Sequence, residues 1–132
     1  MALLPANKIR VAIHGRMVSC KLENPRMPAF LTKKQVFDWI NTGEKTIELR
    51  RGKTQDGDNI AFLNGKGQCV KGRILRRREG KLEDVLNVAT YRKIIPTAKS
   101  LDEAVEFIRQ LYQSTEGTFT AYEFKLNPEE QQ

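Results

Sequence analysis

At 132 residues the chain has room for one domain of ordinary size, which excludes a two-domain enzyme. Its 39% hydrophobic and 30% charged content fits one modest core in a soluble globular protein, and the longest uncharged apolar runs, such as Val11-Ala12-Ile13 and Ile60-Ala61-Phe62-Leu63, fall far short of the roughly 18–20 residues of a bilayer span. The formal charge is +7, and residues 45–81 hold 11 basic and 4 acidic side chains, so the whole excess sits in that window.

A localised positive field attracts polyanions through counterion release, which makes RNA or DNA the expected partner class. The alternative is a basic face that serves only solubility. Met1-Ala2-Leu3-Leu4-Pro5 has no basic segment feeding a long apolar run, so no secretory signal is expected and the chain reads as cytoplasmic, or nuclear. Cys20 and Cys69 lie in strand-like runs far apart, and His14 is the only histidine. A zinc site needs about four ligands at short spacings, so no metal is expected, and His14 reads as an exposed turn residue rather than a catalytic base. No phosphate-binding glycine loop and no dinucleotide fingerprint is present, so no cofactor is expected.

In chain order, residues 1–7 read as a loose tail, followed by a hairpin of Lys8 to Ile13 and Met17 to Leu22 around His14-Gly15. Glu23 to Pro28 is a turn-rich connector, and a short strand comes next at Ala29 to Leu31. Thr32 with Gln35 forms a capping box, and Leu31 with Val36 a hydrophobic staple, for a helix from Lys33 to Thr42 that ends at Gly43. Val36, Phe37 and Ile40 make its apolar stripe, and the flanking Trp39 reads as core. Lys45 to Arg51 alternates as a strand, and Gln55 to Asp58 is a turn that Asp58 holds through its own backbone bonds. Asn59 to Leu63, a tight Asn64-Gly65 turn, and Gln68 to about Arg77 form an antiparallel hairpin. Gly72 marks a bulge or bend in that last strand, and Arg76-Arg77-Arg78 leaves the sheet at one rim.

Leu82, Val85, Leu86 and Ala89 have the spacing of a helix over Lys81 to Ala89. A second capping box, Ser100 with Glu103, opens a helix Leu101 to Tyr112 with Val105, Ile108, Leu111 and Tyr112 inward. Thr118 to Leu126 closes the chain as an alternating strand, with Glu123 and Lys125 on the same side as Phe119 and Ala121. Residues 127–132 form a polar acidic tail. The class is α+β, a small curled barrel with two to three flanking helices.

The run Gly43-Glu44-Lys45-Thr46-Ile47-Glu48-Leu49-Arg50 resembles the ASCH (activating signal cointegrator homology) domain. The resemblance extends to Asp56-Gly57-Asp58-Asn59-Ile60-Ala61-Phe62, a late capped helix and a Tyr122-Glu123-Phe124 strand. It covers about Pro28 to Leu126 and leaves residues 1–27 as an N-terminal extension. It implies a small barrel similar to the PUA RNA-binding domain, with a ligand pocket lined by Lys45, Glu48 and Arg50. A carboxylate between cations can fix their rotamers and accept hydrogen bonds from a base edge. By strict alternation Lys45 faces away from Glu48 and Arg50, so it has to reach them from the end of the strand or through a bulge.

Some ASCH proteins hydrolyse acetylated cytidine with a lysine, a threonine three positions later and a glutamate before the late helix. Here Lys45 matches, but the threonine position holds Glu48 and Ile95 to Lys99 contains no carboxylate. If the chain is an enzyme, Lys45 and Glu48 are its catalytic pair, with Glu48 as general base on an acylated nucleoside. Nuclease activity, also described in the family, needs more converging carboxylates than this segment offers if it uses two metals. The first expectation is therefore a non-catalytic module for single-stranded or structured RNA. Arg50, Arg51, Lys53, Lys71, Arg73, Arg76, Arg77 and Arg78 would neutralise phosphates in a groove beside the base pocket. A nucleoside hydrolase comes second and an adaptor in transcription or translation third.

Overall fold

The structure, a computed structural model, describes residues 8–13, 16–21 and 27–128. Strands β1 (Lys8–Ile13) and β2 (Arg16–Lys21) pair antiparallel in a sheet of their own, Ile13 opposite Arg16. The expected His14-Gly15 turn, the first seven residues, the connector over 22–26 and the end of the acidic tail lie outside the described residues.

The rest of the chain is a curled, mixed five-stranded half-barrel with four helices. Its strands are β3 (Ala29–Leu31), β4 (Ile47–Arg51), β5 (Asn59–Leu63), β6 (Cys69–Gly80) and β7 (Phe119–Leu126), in the order β3-β5-β6-β7-β4. Only β3 and β5 run parallel. The sheet is built around β6, twelve residues long, whose first half pairs with β5 while β7 runs along most of its length. Arg76, Arg77 and Arg78 therefore do not leave the sheet at a rim; they sit opposite Glu123, Tyr122 and Ala121. The bulge falls between Ile74 and Arg76, where the intervening Leu75 is 58% exposed, and not at Gly72. Gly72 is needed for another reason: a Cβ there would stand 2.6 Å from the Lys125 carbonyl oxygen.

The β5–β6 hairpin closes from Asn64 to Gln68, Asn64 N donating to Gln68 O at 3.1 Å. The Asn64 side-chain oxygen accepts from the backbone of Lys66 and of Gln68, so the asparagine organises a turn longer than a two-residue Asn-Gly link.

Helix α1 (Lys34–Thr42) starts one residue later than expected, with Lys33 as its uncapped N-cap. The hydroxyl of Thr32 is committed elsewhere, donating to Leu63 O at 3.1 Å, because β3 and β5 bring that carbonyl beside it. Leu31, read as half of a staple, is 46% exposed. At the other end Gly43 takes φ +81°, and its N–H bonds Ile40 O.

The helix expected over Lys81 to Ala89 stops at Val85. Helix α2 (Leu82–Val85) begins where Lys81 N donates to the Asp84 carboxylate. Beyond it, Asn87 Oδ1 accepts from Ala89 N and Thr90 Oγ1 donates to Val85 O, side-chain bonds that replace helical ones. A further turn, α3 (Tyr91–Ile94), precedes α4 (Leu101–Tyr112). Ser100 caps α4 as expected, accepting from Glu103 N, while the Glu103 carboxylate accepts from Lys99 N. Ala104 and Ile108 are buried, with Leu101, Val105 and Tyr112 beside them. Leu111, expected inward, is 48% exposed, since the stripe 101, 104, 105, 108, 112 rotates it away from the sheet.

Apolar residues bury on both sides of the sheet. One core gathers Ile47, Leu49, Phe119 and Ala121 under α2, α3 and α4 and includes Trp39. The other, inside the curl, holds Phe30, Phe37, Ile40, Ile60, Phe62, Tyr122, Phe124 and Leu126.

Candidate functional site

Lys45 lies in the link between α1 and β4, whose backbone is tied on three sides. Lys45 N bonds Trp39 O, Thr46 N bonds Lys93 O, and Thr46 O accepts from Phe124 N, each at 3.0 Å. Lys45 thereby reaches Glu48 from beyond the strand end, which resolves the conflict with alternation. Its Nζ donates to Ile94 O at 2.6 Å and stands 3.5 Å from Glu48 Oε1. The other carboxylate oxygen, Oε2, is 3.4 Å from Arg50 Nη2. Arg50 also donates to Leu31 O at 2.9 Å and lies over the Phe30 ring, 4.5 Å from its centroid.

The three expected pocket residues are thus together, but as a chain of ion pairs sunk in the fold. Lys45 is 4% exposed and Glu48 5%, and only Arg50, with 31% of its side chain accessible, faces outward. Burial holds the Lys45 ammonium below the ordinary lysine range; the Glu48 carboxylate pulls it back up, by both charge and hydrogen bond, without cancelling that effect. A cavity of about 320 Å3 opens beside the same link, walled by Thr42, Gly43, Lys45, Thr46, Phe124 and Lys125 among others. Lys45 lines it; Glu48 and Arg50 do not.

The other cations read as one basic groove separate into different settings. Alternation along β6, phased by the bulge, sets Lys71, Arg73, Arg76 and Arg78 on the outer face, the side of Glu123 and Lys125 on β7. Arg77 points the opposite way, toward Tyr122. Its guanidinium donates to Gly57 O, its Nε is buried without a partner, and the Tyr122 hydroxyl accepts from Gln55 N in the same loop. Arg77 therefore clamps the β4–β5 connection rather than facing outward with its neighbours. Arg51 is engaged by Glu116 O at 2.7 Å and lies near Phe119, while Lys53 is exposed in the loop after β4. The Asp58 side chain is exposed; its backbone carbonyl, accepting from Ile74 N, is what holds the chain there.

Two residues on this face fall outside the basic window of the sequence: Lys125, opposite Arg73, and Lys93 on α3. The period-2 pattern of β7 placed Lys125 beside Glu123, but only the register against β6 puts it next to an arginine. Among the described residues no group of three or more histidine, cysteine or carboxylate side chains could hold a metal, and no helix is long and apolar enough to cross a membrane.

No family model and no curated protein matches the sequence. Among solved structures, the chain is similar to the hypothetical protein PH0355, with 19% identity and a TM-score of 0.61 over 75% of this chain and 97% of that one. It is also similar to protein PF0455 from Pyrococcus furiosus, at 18% identity and TM-score 0.57 over 77% and 98% of the two chains. The ASCH protein from Zymomonas mobilis matches at 14% identity and TM-score 0.56, over 80% of this chain and 76% of that one. The fold is therefore of ASCH type, as the residues of the Gly43 to Arg50 run implied.

Proposed function

We propose that this ASCH-type chain is an RNA-binding module that holds the sugar-phosphate backbone on the outer face of β6 and β7. The observation that carries this reading is the row Lys71, Arg73, Arg76, Arg78 and Lys125 on one sheet face. Among the described residues none of these side chains takes part in an ion pair or a side-chain hydrogen bond. Cations without protein partners on a rigid strand are poised for phosphate oxygens. A single strand suits this surface better than the duplex major groove, because neither of the two long helices, α1 and α4, presents a basic face. Lys34 of α1 is paired with Asp38 at 2.8 Å, and α4 opens with Asp102 and Glu103. The cavity beside Lys45 is the place for a base or nucleoside, with Lys45 held by Glu48 and Ile94 O, and Glu48 in turn by Arg50.

The test is fluorescence anisotropy of a labelled single-stranded RNA across a salt series, with duplex DNA and free nucleosides as competitors. At most five phosphate contacts on this row correspond to a slope of log K against log salt no steeper than about −3.5. RNA binding that is absent at low salt overturns the reading.

One observation favours a second reading, a small-nucleoside amidohydrolase: Lys45, whose ammonium is held below its ordinary range, contributes to the wall of a cavity of ligand size. Turnover of acetylated cytidine that is lost in Lys45→Gln supports it, and absence of turnover by the unaltered chain rejects it.

A further inference from the structure

The outer face of the sheet ends against α2 and α3 in a hollow of about 180 Å3. Arg76 and Arg78 line it from β6, Lys93 from α3, and Glu123 from β7, opposite Arg76 in the register. Ile47, Val85 and Ala121 supply apolar lining beneath these charges. The backbone that carries the cations is fixed: the two arginines lie in the β6–β7 ladder, and Lys93 O accepts from Thr46 N. Among the described residues, none of the three cations and not Glu123 makes a side-chain hydrogen bond or ion pair.

Three unmatched positive groups around one partly enclosed hollow repel each other and favour an anionic occupant. Arg76 and Arg78 are two residues apart on one strand face, about 7 Å, so two guanidinia can grip one phosphate from two sides. A wall carboxylate has the opposite effect on a bare anion, which it repels, yet it accepts hydrogen bonds from hydroxyl donors. The ligand that satisfies both is a phosphate carrying adjacent hydroxyls, as a ribonucleotide does; acidic side chains take the ribose hydroxyls of nucleotides in this way elsewhere.

We propose that the hollow is a subsite for one ribonucleotide of a bound strand, its phosphate on Arg76, Arg78 and Lys93 and its ribose hydroxyl on Glu123. This rests on the RNA-binding reading and extends it by naming the sugar as ribose and Lys93 and Glu123 as its contacts.

The experiment uses the full chain, isotopically labelled, titrated by NMR with adenosine 5′-monophosphate, its 2′-deoxy counterpart and inorganic phosphate, with RNA anisotropy in parallel. The nucleotide is expected to shift signals around the hollow. Lys93→Glu and Ala89→Trp each weaken nucleotide binding by at least about tenfold, the loss of one charge-assisted contact or of the space itself. Both positions are exposed, so the fold tolerates the changes. Arg73→Ala, off the hollow, lowers RNA affinity and leaves the nucleotide unaffected. Glu123→Ala, which leaves no acceptor at that wall, removes the preference for ribose over deoxyribose. Inorganic phosphate binding as tightly as the nucleotide overturns the subsite, as does unaltered nucleotide binding in Ala89→Trp; the RNA reading then stands or falls on its own salt slope. Nucleotide binding in the hollow without any RNA binding supports the subsite and rejects the strand reading.

Discussion

Glu48 is a carboxylate that the fold can bury only because Lys45 and Arg50 flank it, and each partner is held by a backbone carbonyl as well. Removing one member of such a pair leaves the other charge uncompensated, whereas replacing both by apolar groups does not. Lys45→Met is therefore expected to destabilise the chain by about 3–5 kcal/mol, and Lys45→Met with Glu48→Leu by clearly less, as read by urea unfolding. An equal or larger loss in the double variant would show that the pair stabilises the fold on balance. The pH dependence has a definite sign. Burial lowers the Lys45 value in the folded state, so the unfolded chain binds that proton more tightly. Stability relative to Lys45→Met should thus be level below the lowered folded value and rise as the pH climbs from there toward the ordinary 10.5. The identity of Lys45, Glu48 and Arg50 as one cluster was legible in the sequence, but their burial was not. It depends on Ile94 and Leu31, carbonyls brought from 49 and 19 positions away.

At the level of elements, β6 decides which cations face outward. One inserted residue, Leu75, shifts the phase of alternation, so Arg76 and Arg78 continue the face of Lys71 and Arg73 while Arg77 turns inward. The adjacent arginines should then behave in opposite ways. Arg76→Ala and Arg78→Ala should each leave stability within about 0.5 kcal/mol, and together they should flatten the salt slope of RNA binding by about 0.7, the share of the one phosphate they grip. Arg77→Ala should lower the unfolding midpoint through loss of the Gly57 contact and leave that slope unchanged. A flattened slope in Arg77→Ala would contradict the assignment of faces. The same strand carries a second test, because Gly72 packs directly on the backbone of Lys125 and Leu126. Gly72→Ala forces the β6–β7 pair apart and should cost about 1–3 kcal/mol, seen as a lower thermal midpoint. Helix ends show where local signals suffice. Ser100 caps α4 as its sequence implies, whereas Thr32 abandons its capping position because a sheet carbonyl lies within reach.

Across the whole molecule a single sheet is shared by two apolar clusters, with Ile47, Leu49, Phe119 and Ala121 on one side and Phe62, Tyr122 and Phe124 on the other. Strand β7 contributes alternate residues to both, so neither core can open without breaking the ladder that supports the other. Ile108→Ala and Phe62→Ala, one in each cluster, are each expected to cost about 2–5 kcal/mol. Near- and far-ultraviolet circular dichroism should still report one coincident transition for both. Separate transitions would mean that the clusters are independent units.

The sequence by itself determined the α+β class, the seven strands and the two long helices, because period-2 and helical spacings are local properties of the chain. It also placed the charge excess in residues 45–81 and, through the resemblance carried by the Gly43 to Arg50 run, grouped Lys45, Glu48 and Arg50. Only the tertiary structure decided that this group is buried, that Arg77 is a structural clamp, and that Lys93 and Glu123 meet Arg76 and Arg78 at one hollow. Those outcomes depend on strand register, on the position of a one-residue bulge and on which carbonyls become neighbours. All three are set by contacts between segments far apart in the chain, and no local pattern of residues encodes them.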